Sequence, residues 1–339
     1  MIDLLLQELS SSWQSQLERE GMVLQPPFVA LQVGSGFGSF RKINFLLFES
    51  GAKAPSLVLK VSRDSNHQSF LMNEYRALNQ VWDEAGFFTG IPRALGLFEM
   101  EGMQVLVETY VPGIPMAVLL QRRLLTRPSN VRDDLSYAHL WLRQLQQATF
   151  DDLEPFPAQM LVELSLARLQ DDIVPHSFTH NLMARAKEWE RFDLPRVGRH
   201  GDYWPGNLLV GEGTAAVIDW ENYTPRDLPF FDLYSFVVTY SLALPWRRGK
   251  RLSREERFAR AFLDDGWLGN EILSCVNQHL DAFSLPRHSA AFFFGLFLLE
   301  KALPALKKRP GNRQQRRQWL DILRLYAENE RHSILVKQC

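Results

Sequence analysis

Cysteine is nearly missing from this chain: two residues in 339, Cys275 and Cys339. That excludes a disulfide framework, and without a C-x-x-C pair no zinc-ribbon or dithiol redox motif is available. Long hydrophobic runs are missing too. The most apolar stretch, residues 290–299 (AAFFFGLFLL), lies between Arg287 and Glu300. A membrane span needs about 20 residues, so this run reads as a buried core helix. A basic leader is missing: Asp3 and Glu8 stand where a signal peptide carries positive charge. No charge sign dominates. The 38 Lys+Arg and 39 Asp+Glu give a net charge of -1, which argues against a dedicated nucleic-acid binder. G-x-x-x-x-G-K-[ST] and G-x-S-x-G are both absent, which disfavours P-loop enzymes and nucleophile-elbow hydrolases. What remains is a soluble, cytoplasmic globular protein. Its length suits two domains, or two lobes sharing a cleft, and can bury a large core without covalent staples.

The N-terminal residues Leu5, Leu6, Leu9, Trp13 and Leu17 recur at helical intervals. We read residues 1–30 as a helical extension. From 31 to 111 the pattern is β-rich: residues 40–49 (FRKINFLLFE) and 57–61 (LVLKV) suit strands, with a helix over 70–82 and further strands near 95–98 and 105–110. Pro112-Gly113-Ile114-Pro115 is the clearest breaker. Beyond it, residues 112–339 read as mostly helical, with candidates at 134–147, 161–169 and 181–192. Acidic side chains outnumber basic ones up to Pro115, and basic outnumber acidic thereafter. The basic excess comes from residues 246–260 and 307–317. Such runs are usually solvated surface, and a field drawing an anionic ligand is the sharper reading. The fold class expected is α+β, bilobal, with an antiparallel sheet in the small lobe.

The stretch carrying chemistry is 199–221, RHGDYWPGNLLVGEGTAAVIDWE. Asn207 follows Asp202 by five residues, and Asp219 follows Asn207 by twelve. Short strands at 208–210 and 216–218 flank a Gly-containing turn, a hairpin expected to bring Asn207 and Asp219 together. Two hard oxygen donors of this kind suit Mg²⁺, which takes one or two protein oxygens and completes its octahedron with water and phosphate. Asp202 lies on the same loop, within reach of a substrate hydroxyl. The blander reading is a set of polar residues stabilising turns; the combined spacing favours the metal–phosphate site.

This segment resembles the catalytic core of the aminoglycoside phosphotransferase and choline kinase superfamily, whose fold is similar to that of protein kinases. His200-Gly201-Asp202, Asn207 and Ile218-Asp219-Trp220-Glu221 match its H-G-D-x-x-x-x-N and I-D-W-E elements. The resemblance spans roughly residues 30–240. It implies an ATP- and Mg²⁺-dependent kinase acting on a small-molecule hydroxyl acceptor, with Asp202 as base and Asn207 and Asp219 holding the metal. It further implies a phosphate-covering loop at Gly34, Ser35, Gly36 and Gly38. A strand follows that loop, where a dinucleotide-binding turn would open a helix. Lys60 would hold the α- and β-phosphates, oriented by Glu74. An unpaired Lys in so apolar a strand would be costly to bury, so a partner is expected. Glu108 and Tyr110 occupy the hinge, where backbone groups would meet adenine. His200 and Asp232 would support the catalytic loop, Asp232 from a P-x-x-D-L element at 229–233. Two positions depart from the pattern. Asp227 stands where Gly is usual, and Gln146 stands where a His is frequent.

Gly201 replaces the Arg of the protein-kinase H-R-D motif, which favours a small-molecule kinase over a regulated protein kinase. For the acceptor we expect a sugar or glycan-precursor hydroxyl. A choline-type, amino-alcohol or aminoglycoside acceptor is the alternative. Phe283, Phe292, Phe293, Phe294, Phe297 and Trp319 could cage a quaternary ammonium, although core packing is the commoner fate of such residues. A pseudokinase scaffold is the alternative of another class, opposed by the retention of Lys60, Asp202, Asn207 and Asp219.

Overall fold

The structure is a computed structural model that describes every residue except 34–41, 63–67, 87–89, 170–172, 212–213, 246–251, 307–312 and 338–339. For 313–316 only the backbone is described. Gly34, Ser35, Gly36 and Gly38 therefore lie outside the described residues, as do parts of both basic runs. Two compact units emerge. One comprises residues 1–113 with 211–225, the other residues 114–210 with 226–339.

The first unit is built on a five-stranded antiparallel sheet, β1 (Val29–Val33), β2 (Lys42–Phe48), β3 (Leu57–Ser62), β4 (Ala94–Met100) and β5 (Met103–Thr109), in the order β1-β2-β3-β5-β4. Short connections between sequence neighbours suit antiparallel pairing. Period-two alternation gives each strand two faces. Phe45, Leu47, Leu57, Leu59, Val61, Val105 and Val107 join a core with Leu5, Leu9, Trp13 and Leu17. Those last four come from α1 (Ile2–Ser10), the turn after it and α2 (Gln14–Arg19). Residues 1–30, read as an extension, thus supply one layer of this unit. Trp13 stacks on Phe98 at 4.5 Å, and each fully buried Leu contributes about 1.5–3 kcal/mol. The helix α3 (Gln68–Ala85) packs on β3, β4 and β5 and buries Leu71, Glu74, Ala77, Leu78 and Val81.

The second unit is helical: α4 (Met116–Arg122), α5 (Pro128–Ala148), α6 (Ala158–Leu166), α7 (His176–Trp189), α8 (Phe231–Ala243), α9 (Arg254–Phe262), α10 (Trp267–Ala282), α11 (Ser289–Ala302) and α12 (Arg313–Asn329). Helix α11 is the apolar run noted in the sequence. With the four residues that follow, it is long and apolar enough to cross a membrane by composition alone. Here it is the centre of a core: Phe292, Phe293, Phe294 and Phe297 are fully buried. Phe293 stacks on Phe230 at 4.1 Å, and Phe294 on Phe262 at 5.0 Å. These rings pack against one another, so they are committed to the core and do not form a cage. A capping box of Ser253 and Glu256 starts α9, satisfying two otherwise orphaned backbone donors.

Candidate active site

In the first unit, alternation that sends the apolar side chains of β2, β3 and β5 to the α1–α2 core leaves Lys42, Lys60 and Glu108 on the opposite face. Register then gathers them. Lys60 is paired with Asn44 and Leu106, Lys42 with Ser62, and Glu108 with Val58. Lys42 and Glu108 are therefore diagonal neighbours of Lys60 on one face, within reach of long side chains.

Glu74 of α3 is fully buried and binds both lysines: Lys60 Nζ donates to Oε1 at 2.6 Å and Lys42 Nζ to Oε2 at 3.0 Å. The expected Lys60–Glu74 pair is thus present, and the need for a partner to a buried Lys is met. Asp219 receives both cations on Oδ1, from Lys42 at 2.9 Å and Lys60 at 3.3 Å. Its neighbours complete the network. Trp220 N–H donates to Glu74 Oε1 at 3.2 Å, and Glu221 accepts from Lys42 at 3.3 Å. Asp219 has φ 67°, a left-handed conformation that Asp and Asn tolerate better than other non-glycine residues. Burial alone would raise its pKa, but Lys42 and Lys60 outweigh that and hold it well below the usual carboxylate range. Burial also opposes the charge on Lys60; Glu108, Glu74 and Asp219 overcome it and keep the ammonium protonated beyond the ordinary lysine range.

Glu108 behaves differently. Lys60 donates to its Oε1 at 2.8 Å, but its buried Oε2 has no hydrogen-bond partner. Burial pushes its pKa up to about 7 despite the pull of Lys60. The fold therefore retains a proton that the unfolded chain releases near pH 4.5. The stability this provides is complete below about pH 4.5 and is lost as pH rises through 7, at up to about 1.4 kcal/mol per pH unit. Glu108→Gln is expected to flatten that slope. Urea unfolding at pH 5 and pH 7.5 reads it, and an unchanged slope would remove the assignment.

The hinge backbone is partly committed within this unit. Thr109 N–H donates to Arg93 O at 2.9 Å and Tyr110 N–H to Ser56 O at 3.1 Å. An adenine edge would therefore have to be met by other backbone groups of this linker.

In the second unit, residues 200–207 follow a short strand, Val197–Arg199. Gly201 has φ 82°, a backbone conformation that favours glycine. Asp232, in the first turn of α8 and almost fully buried, accepts His200 N–H on Oδ2 at 2.6 Å and Gly201 N–H on Oδ1 at 3.0 Å. Asp202 N–H donates in turn to His200 Nδ1 at 3.3 Å. Asn207 Nδ2 donates to both the main-chain oxygen and Oδ2 of Asp202, at 3.0 and 3.1 Å. Asp232→Ala would orphan one buried and one part-buried N–H group, at about 1–3 kcal/mol each. A loss of about 2–5 kcal/mol in chemical denaturation is expected, and a loss under 1 kcal/mol would contradict this role.

The positions that depart from the family pattern acquire functions here. Asp227 accepts Leu228 N–H at 2.7 Å and Arg199 Nη1 at 3.0 Å. Gln146 Nε2 and His279 Nε2 both donate to the Pro229 carbonyl, at 3.0 and 2.8 Å. Burial, with His139 nearby, lowers the pKa of His279 to about 3, so it acts as a neutral donor. Together they fix the turn from which Asp232 projects.

The donor chemistry suits a hard cation. Asp219 is held ionised. The Asn207 amide spends its NH₂ on Asp202, leaving its carbonyl oxygen without a hydrogen-bond partner among the described residues. No group of three His, Cys, Asp or Glu among the described residues has metal-holding geometry. Asp219 and Asn207, each taken by itself, are hard oxygen donors of the kind Mg²⁺ accepts.

Sequence reasoning missed Lys42 and the side-chain roles of Glu108 and Glu221, the last of which it named only as part of the I-D-W-E element. Lys42 shares the strand parity of Asn44, which could have placed it off the apolar face. Its meeting with Glu74 depends on register and on a helix 26 or more residues further along the chain.

A family model described as the phosphotransferase enzyme family matches residues 44–269. A comparison with curated proteins gave no match. Among solved structures, a macrolide 2'-phosphotransferase, MphH from Brachybacterium faecium, aligns at TM-score 0.51 and 14% identity, over 94% of this chain and 98% of that one. The GDP and kanamycin complex of APH(2")-IIia aligns at TM-score 0.49 and 13% identity, over 95% and 99%. The MphH likeness concerns the fold, a kinase-like α+β architecture. The family match covers well over half the chain and includes Lys60, Glu74, Asp202, Asn207, Asp219 and Asp232. This chain therefore belongs to the phosphotransferase enzyme family and is an enzyme that transfers phosphoryl groups to hydroxyls.

Proposed function

We propose that the protein is an ATP- and Mg²⁺-dependent, cytoplasmic small-molecule kinase whose acceptor is a hydroxyl of a sugar or glycan precursor. The observation that carries the nucleotide reading is the buried Lys60–Glu74 pair at 2.6 Å, whose ammonium also reaches Asp219. Phosphoryl transfer asks the protein for alignment and charge neutralisation more than for covalent chemistry. Lys60, held by Glu74, would bind the α- and β-phosphate oxygens. Asp219 and Asn207 would hold Mg²⁺, which when bound neutralises phosphate charge. Asp202 would orient the acceptor hydroxyl and take its proton late, with Asn207 fixing the carboxylate and Asp232 the loop.

The basic balance of residues 116–339 suits a neutral or anionic compound better than a polycationic drug, and four of the aromatic side chains that could cage a quaternary ammonium, Phe292, Phe293, Phe294 and Phe297, are spent on the core. The test is ATP consumption with Mg²⁺ across sugars, amino sugars, amino alcohols and aminoglycosides. Turnover is expected with a sugar acceptor. No nucleotide binding and no turnover would overturn the kinase reading, and turnover confined to aminoglycosides or choline would replace the acceptor class.

A further inference from the structure

Helix α11 ends beside the catalytic loop. Glu300 in its last turn accepts both terminal guanidinium nitrogens of Arg199, at 2.5 and 3.2 Å. Arg199 immediately precedes His200-Gly201-Asp202 and lies over the Phe231 ring at 4.7 Å. This ion pair staples the end of α11 to the root of the loop and fixes where the next residue, Lys301, must sit. The Lys301 ammonium lies 5.8 Å from the centre of the Phe297 ring, one turn back. Asp202, Asp232 and Glu300 all act on it electrostatically, with Arg199 opposing.

Each of those carboxylates already has a dedicated partner. Asp232 is taken by two backbone amides, Glu300 by Arg199, and Asp202 by Asn207. Lys301 makes no hydrogen bond or ion pair among the described residues. Burial, the largest influence, and Arg199 lower its pKa, the signature of a cation whose countercharge is incomplete. A half-buried ammonium next to the Glu300–Arg199 staple at the root of the catalytic loop, with a ring face but no hydrogen-bonded or ion-paired countercharge among the described residues, is poised for an anion supplied from outside the protein.

We propose that Lys301 is a specificity-determining residue that receives a negatively charged group, a carboxylate or a phosphate, carried by the acceptor whose hydroxyl is phosphorylated. This rests on the kinase reading above and narrows its acceptor to an anionic hydroxyl compound. Both terminal nitrogens of Arg199, which lies at the root of this loop, are already engaged by Glu300 and Asp227, and its remaining Nε is buried, so the selection falls to Lys301. The chemistry of transfer is unchanged: the acceptor oxygen bonds to the γ-phosphorus, the bond to the β–γ bridging oxygen breaks, ADP leaves and the hydroxyl proton passes to Asp202.

The test uses the full-length protein with ATP, Mg²⁺ and acceptors in matched sets, such as glucose, glucuronate, glucose 6-phosphate and glucosamine. The anionic members are expected to exceed the neutral one in kcat/KM by at least about tenfold. Lys301→Met should erase that preference while leaving neutral-acceptor turnover and ADP affinity within about twofold. Lys301→Arg should keep most of it. A wild-type preference for neutral or amino acceptors overturns the proposal. So does a Lys301→Met variant that loses neutral and anionic turnover equally, since Lys301 would then act through Asp202. A selective loss of ADP or ATP affinity would give the anion site to the nucleotide and likewise overturns it. If ADP binds but no acceptor turns over, calorimetric titration with glucuronate and inorganic phosphate decides: binding at least tenfold weaker in Lys301→Met supports the proposal, and no Lys301-dependent binding ends it. Failure to bind any nucleotide strikes the kinase reading instead, a separate result.

Discussion

Asp202→Ala is expected to lower kcat by about 10²–10⁴-fold, the range for losing a positioned general base, while nucleotide affinity stays within about twofold. The expectation follows from how the carboxylate is held. Asn207 donates to it at 3.1 Å, and the backbone beneath it is anchored through His200 and Gly201 to buried Asp232. That investment fixes a side chain that no core requires. An alanine leaves the Asp232 anchors in place, so the fold should persist and the loss should appear in turnover. Single-turnover kinetics and equilibrium ADP binding check this. A parallel loss of ADP affinity would move Asp202 from acceptor activation to nucleotide binding, and near-normal kcat would remove it from the chemistry.

Asp219→Asn is expected to weaken Mg-ATP binding on the order of 100-fold, by analogy with the sensitivity of metal sites to their oxygen partners, with a much smaller effect on nucleotide binding in EDTA. Asparagine is the informative replacement because the backbone at Asp219 has φ 67°, which Asn adopts readily and Ala does not. The variant also removes the charge that Lys42 and Lys60 share. Those lysines keep Glu74, Glu108 and Glu221, so the first unit should stay folded. Titration with and without Mg²⁺ separates the effects. Equal weakening in both would mean that Asp219 works through the lysines alone and would count against a metal role.

These two residues were legible in the sequence because their motif is compact. Asp202, Asn207 and Asp219 fall within one stretch whose strands and turns are short, so spacing alone suggests the chemistry. Lys60 was legible for another reason: a cation inside LVLKV demands a partner. Lys42 was not, because its role arises only when β2 and β3 settle into register across a connection of eight residues. The side chain of Glu108 was hidden likewise, since its strand reads as a plain hinge until diagonal pairing brings it to Lys60. Asp227 and Gln146 stood out as departures, and what they do could be seen only in three dimensions. Arg199 pairs with Asp227, and Gln146 shares the Pro229 carbonyl with His279, a residue of α10 far along the chain. The α+β class and the helical character of residues 112–339 were readable from periodicity, and the buried fate of 290–299 from a length short of a membrane span.

Residues 211–225 group with the first unit although the chain on both sides groups with the second. The consequence is one of timing during synthesis. A nascent chain that has emerged only to residue 113 carries Lys42 and Lys60 but neither Asp219 nor Glu221. It lacks two of the carboxylates that neutralise those lysines and must wait for another hundred residues. At cellular elongation rates that delay is on the order of ten seconds. The first unit cannot complete its charge network on the ribosome by itself, and cutting the gene after residue 113 would not yield a self-sufficient half.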